Sequence, residues 1–191
     1  MIQKIDLTTL RKTYEQYDKD REKLIIQARA VLKASKQQIN SLHAGNACKP
    51  LAAEEFRKLQ KKVAQNSDLA HEGSYAEAAQ EYAEAELFFD FVKKKPFRSA
   101  QELGVREIDY LSAVSDLTGE LARSAVHATI KGNYEAVTRI HECVSDINSQ
   151  LLNFSFRNST LRKKYDAVKW NLRKIEDIMY DIHKLQTFLK K

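Results

Sequence analysis

Glycine, proline and cysteine are all scarce. The 191 residues include 5 Gly and 2 Pro, against the roughly 23 that average usage would supply together. A strand-rich fold needs more turn residues than that, so the expectation is an all-α fold. The two cysteines, Cys48 and Cys143, stand far apart with no partner at C-x-x-C spacing. That argues against a disulfide framework and a zinc ribbon, and it fits inert thiols in a reducing, cytoplasmic setting. No run near 18 apolar residues occurs, and the opening MIQKIDLTTLRKTYEQYDKD has no apolar core of the signal-peptide kind. The chain therefore reads as soluble, unexported and not membrane-bound.

The glycine positions exclude further chemistries. The nearest pair, Gly119 and Gly132, is 13 residues apart, whereas phosphate-cradling loops place two or three glycines within about six. Walker and Rossmann sites are ruled out on that ground. His71-Glu72 is followed by Gly-Ser-Tyr, so the zinc-protease pattern H-E-x-x-H is not met there. No Glu-x-x-His is present to build a di-iron bundle.

What is present is charge and helical periodicity. Lys and Arg number 32 against 26 Asp and Glu, a formal charge of +6, which favours a polyanionic partner without requiring one. At roughly 150 residues per domain, one domain is expected over residues 1–191. No repeat, low-complexity tract or long linker divides the chain.

Apolar spacing predicts about seven helices. The first covers 6–43, with a break or bend expected near Asp18 to Asp20 and a stripe of Leu24, Ala28, Val31, Leu32, Ile39 and Leu42. The second covers 51–66 and the third 75–92. A short turn capped by Ser99 runs to Leu103, and further helices cover 106–130, 134–154 and 159–189. The last places Leu161, Tyr165, Val168, Leu172, Ile175, Met179, Ile182 and Leu189 at near-heptad spacing, a long packing seam.

The acids of the third and fifth helices are the most informative local feature. Glu77, Glu81 and Glu84 border the stripe Ala78, Tyr82, Ala85, Phe89 and Val92. Asp109, Ala113, Asp116 and Glu120 flank the stripe Tyr110, Val114, Leu117, Leu121 and Ala125, and Ser112, Ser115 and Gly119 leave a small face for close backbone approach. If the two helices pack together, Glu81, Glu84, Asp116 and Glu120 meet at one point. Four clustered carboxylates then demand a cation, since otherwise they repel or are forced to hold protons. All-oxygen ligation selects Mg²⁺, Mn²⁺ or Ca²⁺ over zinc. The same spacing also fits solvated helix faces with Lys and Arg partners, and spacing by itself leaves both open.

Three blocks carry a family resemblance. They are Asp109-Tyr-Leu-Ser-Ala-Val-Ser-Asp-Leu-Thr-Gly-Glu-Leu-Ala-Arg123, the Gly132-Asn-Tyr134 turn, and Leu161-Arg-Lys-Lys-Tyr-Asp-Ala-Val-Lys169 through Tyr180-Asp181. In order and spacing they resemble the translin family, over about Ala70 to Asp181. The resemblance implies a seven-helix bundle. Gln80-Glu-Tyr-Ala-Glu-Ala85 and Asp116-Leu-Thr-Gly-Glu-Leu121 resemble the metal-binding motifs of the branch called translin-associated factor X, whereas the last helix looks more like translin. Carried over by position, Glu81, Glu84, Asp116 and Glu120 are the metal ligands and catalytic acids; Glu77 falls outside the motif. The family implies an endoribonuclease dependent on Mg²⁺ (or Mn²⁺) that cleaves single-stranded RNA inside a hollow octamer. Related archaeal chains assemble as homo-octamers. The alternative is a non-catalytic translin-like binder of single-stranded RNA or DNA.

Arg57, Lys58, Lys61 and Lys62, with His71 after them, lie roughly where translin has its basic nucleic-acid-binding regions. They fit sequence-tolerant backbone binding and equally a solvated helix face. Arg162, Lys163, Lys164, Lys169, Arg173 and Lys174 are expected on the polar side of the last helix, paired with Asp166, Glu176 and Asp177 or else open to RNA or another subunit. Phe88, Phe89, Phe91, Trp170 and Tyr180 are expected in the core or an interface.

Overall fold

A computed structural model describes residues 6–46, 50–157 and 160–189. Cys48 and Ser159, the expected start of the last helix, lie outside the described residues, as does the side chain of Leu189. Seven α-helices follow in order: α1 (Thr8–His43), α2 (Leu51–Gln65), α3 (Gly73–Val92), α4 (Ala100–Leu103), α5 (Glu107–Ile130), α6 (Tyr134–Leu151) and α7 (Thr160–Leu189). A 3₁₀ turn over Ser67–His71, not foreseen from spacing, joins α2 to α3. There is no strand among the described residues, and no helix there is long and apolar enough to cross a membrane.

The expected break near Asp18 to Asp20 does not occur; α1 is continuous. Asp20 finds its partners along the helix itself, accepting from Gln16 and Lys23 at 3.0 Å each, so it supports the helix and does not cap a new one. Tyr17 and Arg21 reach out from the same stretch to the Glu72 carboxylate, Arg21 at 2.9 Å. That contact ties α1 to the turn before α3.

α3 lies between α1 and α5, and its burial extends well beyond one stripe. Ala78, Tyr82 and Ala85 are buried as expected, but so are Ala79, Ala83, Leu87 and Phe88. Small alanine side chains let the two neighbouring helices approach closely, and the large residues fill what remains. Phe88 and Phe56, each 1 % exposed, contribute about 1.5–3 kcal/mol apiece through burial. Tyr82 stacks on Phe56 with ring centroids 4.2 Å apart, joining α3 to α2.

The same helix buries two acids that periodicity did not single out. Arg98 bonds Glu86 at 2.8 Å and Asp90 at 2.8 Å, and Gln38 of α1 donates to Glu86 at 2.9 Å. Both carboxylates are 2 % exposed, so pairing is what makes their burial tolerable. Ser99 and Glu102 then form the capping box that starts α4, which stops at Gly104 in the left-handed conformation, φ 67°. Glycine suits that corner because the left-handed backbone strains other residues, and a β-carbon there would push aside the Gln60 amide, 2.8 Å away.

α6 buries Val137, Ile140, Val144, Ile147 and Leu151. The seam of α7 buries Tyr165, Val168, Ile175 and Ile182. Phe88 is core, and Phe89 and Phe91 are half-buried, but Trp170 and Tyr180 are 69 % and 63 % exposed and do not belong to the core. Both sit on the side of α7 turned away from the bundle. Gly119 faces α7 as the small face suggested, yet a methyl there would meet Asn171 at an ordinary 3.7 Å. No unusually close approach depends on it.

Candidate functional site

Glu81 and Glu84 stand three residues apart on α3, and Asp116 and Glu120 four apart on α5, so each pair occupies one helix face. Where α1, α3 and α5 meet, all four line a single cavity of about 510 Å³, together with Lys36, Ile39 and Asn40 of α1 and Arg123 of α5. The convergence that spacing left open is thus met.

The four acids are not equivalent. Burial pushes Glu84 up to about 8, and the negative charges of Asp116, Glu81 and Glu120 push it the same way. Burial also raises Glu81 above the usual carboxylate range, with Asp116 and Glu77 adding to the effect. Glu120 moves the other way, held low chiefly by its hydrogen bond with His43 and then by the charges of His43 and Arg123. Among the described residues no hydrogen bond or ion pair reaches Glu81 or Glu84.

Asp116 is engaged by Lys164, which crosses from α7 and also donates to Gln80 at 3.0 Å. The expectation that Lys164 sits with the other cations on the polar side of α7 is corrected here. It is three residues past Leu161 and four before Val168, near the seam, and its long stem lets the ammonium reach the acids. Arg162 and Lys169 do pair with Asp166, at 3.4 and 3.2 Å. From Gln80 the network continues to Asp109, at 3.1 Å, and on to Arg106, whose Nε bonds Asp109 at 2.6 Å. Asp109 is therefore a buried structural acid and does not join the quartet. Glu77 lies in a separate cavity lined by Arg21, Arg29 and Ser74.

His43, Lys164, Lys36 and Arg123 were missed as site residues. Arg123 is three residues past Glu120, a signal open to inspection; His43 was visible only as the end of a helix. The basic residues nominated from sequence are not at the cavity. Arg57, Lys58 and Lys61 on α2 and His71 in the 3₁₀ turn are exposed and Lys62 is half-buried, and none lines the acid cavity. Lys58 is committed to Glu55 at 2.6 Å and Glu54 at 3.3 Å. A mostly apolar cavity of about 590 Å³, bounded by Tyr110, Val114, Cys143, Ile147 and Phe154, opens on a different face of α5 and includes none of the nominated residues. Burial raises the Cys143 thiol to about 11, which keeps it from being a thiolate.

Among the described residues no three His, Cys, Asp or Glu side chains are grouped as a ready-made metal-ligand set. Asp116 is engaged by Lys164 instead, and Glu120 by His43 and Arg123. The donors nevertheless suit a hard divalent ion: all are carboxylate oxygens, and two of the four carboxylates have no partner. Burial and the neighbouring acids together favour the protonated form of Glu84, a perturbation of the kind that clusters at functional sites.

A model of the Translin family matches residues 9–183. The chain belongs to the Translin family. Translin from Gallus gallus is 39% identical over 74 residues, covering 39% of this chain and 32% of that protein. Homo sapiens translin is 34% identical over 74 residues with the same shares. The matched segment thus spans about a third of the length of those translins. Among solved structures, apo-NeC3PO superposes with a TM-score of 0.82 at 21% identity, covering 94% of this chain and 98% of that one. AfC3PO in its complex with duplex RNA gives 0.80 at 26% identity, covering 95% and 98%. The translin fold therefore accounts for the whole arrangement of α1 to α7 that sets the four acids around one cavity.

Proposed function

We propose that this translin-family chain is a divalent-cation-dependent endoribonuclease that cleaves single-stranded RNA within a homo-oligomer, an octamer being the form the family suggests. The single observation that carries the reading is the convergence of Glu81, Glu84, Asp116 and Glu120 on one cavity in which Glu84 is raised to about 8. Binding of nucleic acid by the chain is supported by its family and by the duplex RNA held by AfC3PO. The scarcity of cysteine supports a reducing, cytoplasmic setting.

Glu81, Glu84, Asp116 and Glu120 would hold Mg²⁺ or Mn²⁺ through carboxylate oxygens. When bound, such an ion supplies neutralisation of charge at a phosphodiester and makes water more acidic. To hold the ion with all four carboxylates, Glu84 would release its proton and Lys164 would give way from Asp116. Lys36 and Arg123, on the rim of the cavity, attract the phosphate that the acids would repel. Arg57, Lys61 and Lys62, farther along the surface with His71, would grip the sugar-phosphate backbone without reading bases.

A second reading is a non-catalytic binder of single-stranded RNA or DNA. It is favoured by the ion pair of Lys164 with Asp116, which fills the place of an ion with a side chain, and by relatives that bear the name translin. The test is incubation of purified protein with labelled single-stranded RNA, with a duplex in parallel, with and without Mg²⁺ or Mn²⁺. Mass is measured by light scattering. Divalent-dependent product from the wild type and none from Glu81→Ala/Glu120→Ala supports the nuclease. Product from that double variant at the wild-type rate rules out the acid assignment, and gel shifts without product favour the binder.

A further inference from the structure

His43 is the last residue of α1, and its side chain, only 5 % exposed, lies behind Glu120 of the cavity. The ring packs against Phe88, with centroids 4.7 Å apart and planes at 41°, and against His127, at 5.6 Å and 68°. Nε2 meets Glu120 Oε2, and Nδ1 lies 3.4 Å from Ser124 Oγ. A carboxylate oxygen only accepts, so Nε2 carries the hydrogen and donates it to Oε2. Nδ1 is left facing the Ser124 hydroxyl.

The direction of that bond matters more than its presence. Arg123 Nη1, 3.7 Å away, approaches the same Oε2. Among the described residues no hydrogen bond or ion pair reaches Oε1. One oxygen of Glu120 is thus fastened to the wall of the cavity, and the carboxylate plane is set with its other oxygen unengaged. Phe88 and His127 pack against the imidazole as well, so the geometry is held by more than one hydrogen bond.

We propose that His43 is a positioning residue: by donating to Oε2 it presents Oε1 of Glu120 as the donor oxygen of the divalent site. The inference rests on the nuclease reading above. The chain of contacts from Ser124 through His43 to the carboxylate has the form in which outer partners orient a ligand. Loss of such partners typically weakens metal affinity 10- to 100-fold. His43 touches neither ion nor substrate.

The test titrates Mn²⁺ into the full-length protein without RNA, reading affinity by calorimetry. Thermal melting and RNA affinity without divalent ions are measured alongside. His43→Phe keeps an aromatic ring beside Phe88 but has no donor, and His43→Gln restores an N–H at similar reach. The expected result is a Mn²⁺ affinity at least 10-fold weaker in His43→Phe and within about 3-fold of wild type in His43→Gln, with RNA affinity unchanged in both. If His43→Phe binds Mn²⁺ as tightly as wild type while Glu120→Ala does not, the positioning role is overturned and the divalent site stands. Equal loss in His43→Phe and His43→Gln, with both melting as wild type, also overturns it. If the wild type binds no Mn²⁺, the nuclease reading fails and this inference with it.

Discussion

Lys164, on the final helix, donates its ammonium hydrogen to Asp116, on α5, and so closes a contact between residues 48 positions apart in the chain. The pair is only partly exposed, 22 % for the lysine side chain and 36 % for the aspartate. Lys164 is thus the counter-charge of Asp116, and Lys36 and Arg123 are further cations of the acid cavity. At the proposed divalent site, an entering cation would have to displace Lys164. Lys164→Met is expected to tighten Mn²⁺ binding by about 5-fold, the equivalent of an ion pair worth roughly 1 kcal/mol. It should also lower the melting temperature of the ion-free protein. Calorimetric titration checks the first effect; unchanged or weaker affinity would show that the lysine does not compete.

Glu84 gives the pH dependence its sign. Folding raises its pKa from an ordinary 4.5 to about 8, so between those values the folded chain holds a proton that the unfolded chain has released. The stability of the ion-free protein therefore falls as pH rises from about 4.5 and levels off above about 8. Glu84→Gln removes that loss and should stabilise the protein by about 2 to 4 kcal/mol at pH 8, and by little near pH 4.5. Urea unfolding at the two pH values measures the difference. Divalent affinity of the wild type should climb over the same interval, because the ion displaces the proton.

Arg98 makes a separate prediction about stability. It compensates Glu86 and Asp90, both 2 % exposed, while lying outside the acid cavity. Arg98→Ala leaves two buried carboxylates unpaired and should cost about 3 to 5 kcal/mol. The drop appears as a lower urea midpoint and is not recovered by Mn²⁺.

Salt dependence separates the basic residues of α2. Arg57 and Lys61 are exposed, whereas Lys58 is held by Glu54 and Glu55. Arg57→Gln/Lys61→Gln should lower the slope of log affinity against log salt by about 1.4 for single-stranded RNA, about 0.7 per phosphate contact. Lys58→Gln should change it less. Fluorescence anisotropy across a salt series gives both slopes, and an unaltered slope in the double variant removes α2 from the binding surface.

How much of this was legible in the sequence differs by residue, for physical reasons. The acids at 81, 84, 116 and 120 were legible because helical spacing fixes which face a side chain occupies. Two faces carrying acids beside apolar stripes have few ways to pack. The cations opposite them were not legible. Lys164 sits on a polar turn of α7 by pattern, and only the length of its stem and the crossing of α7 over α5 bring it to Asp116. His43 ends α1, where spacing no longer says what lies beyond. Glu86 and Asp90 hid because α3 is covered on several sides, so polarity there meant a paired core group and not a solvent face. The unbroken α1 was missed for a local reason: two aspartates within three residues suggest a helix start until their partners one turn away are known.

The placement of Lys164 also has a consequence for how the protein is made. α7 follows α3 and α5 in the chain, so one counter-charge of a cleft built from those two helices arrives only after they have been synthesised. Until then a nascent chain must leave the carboxylates protonated, keep them wet, or borrow a cation from its surroundings. Divalent ions present during synthesis should therefore favour early docking of α3 on α5.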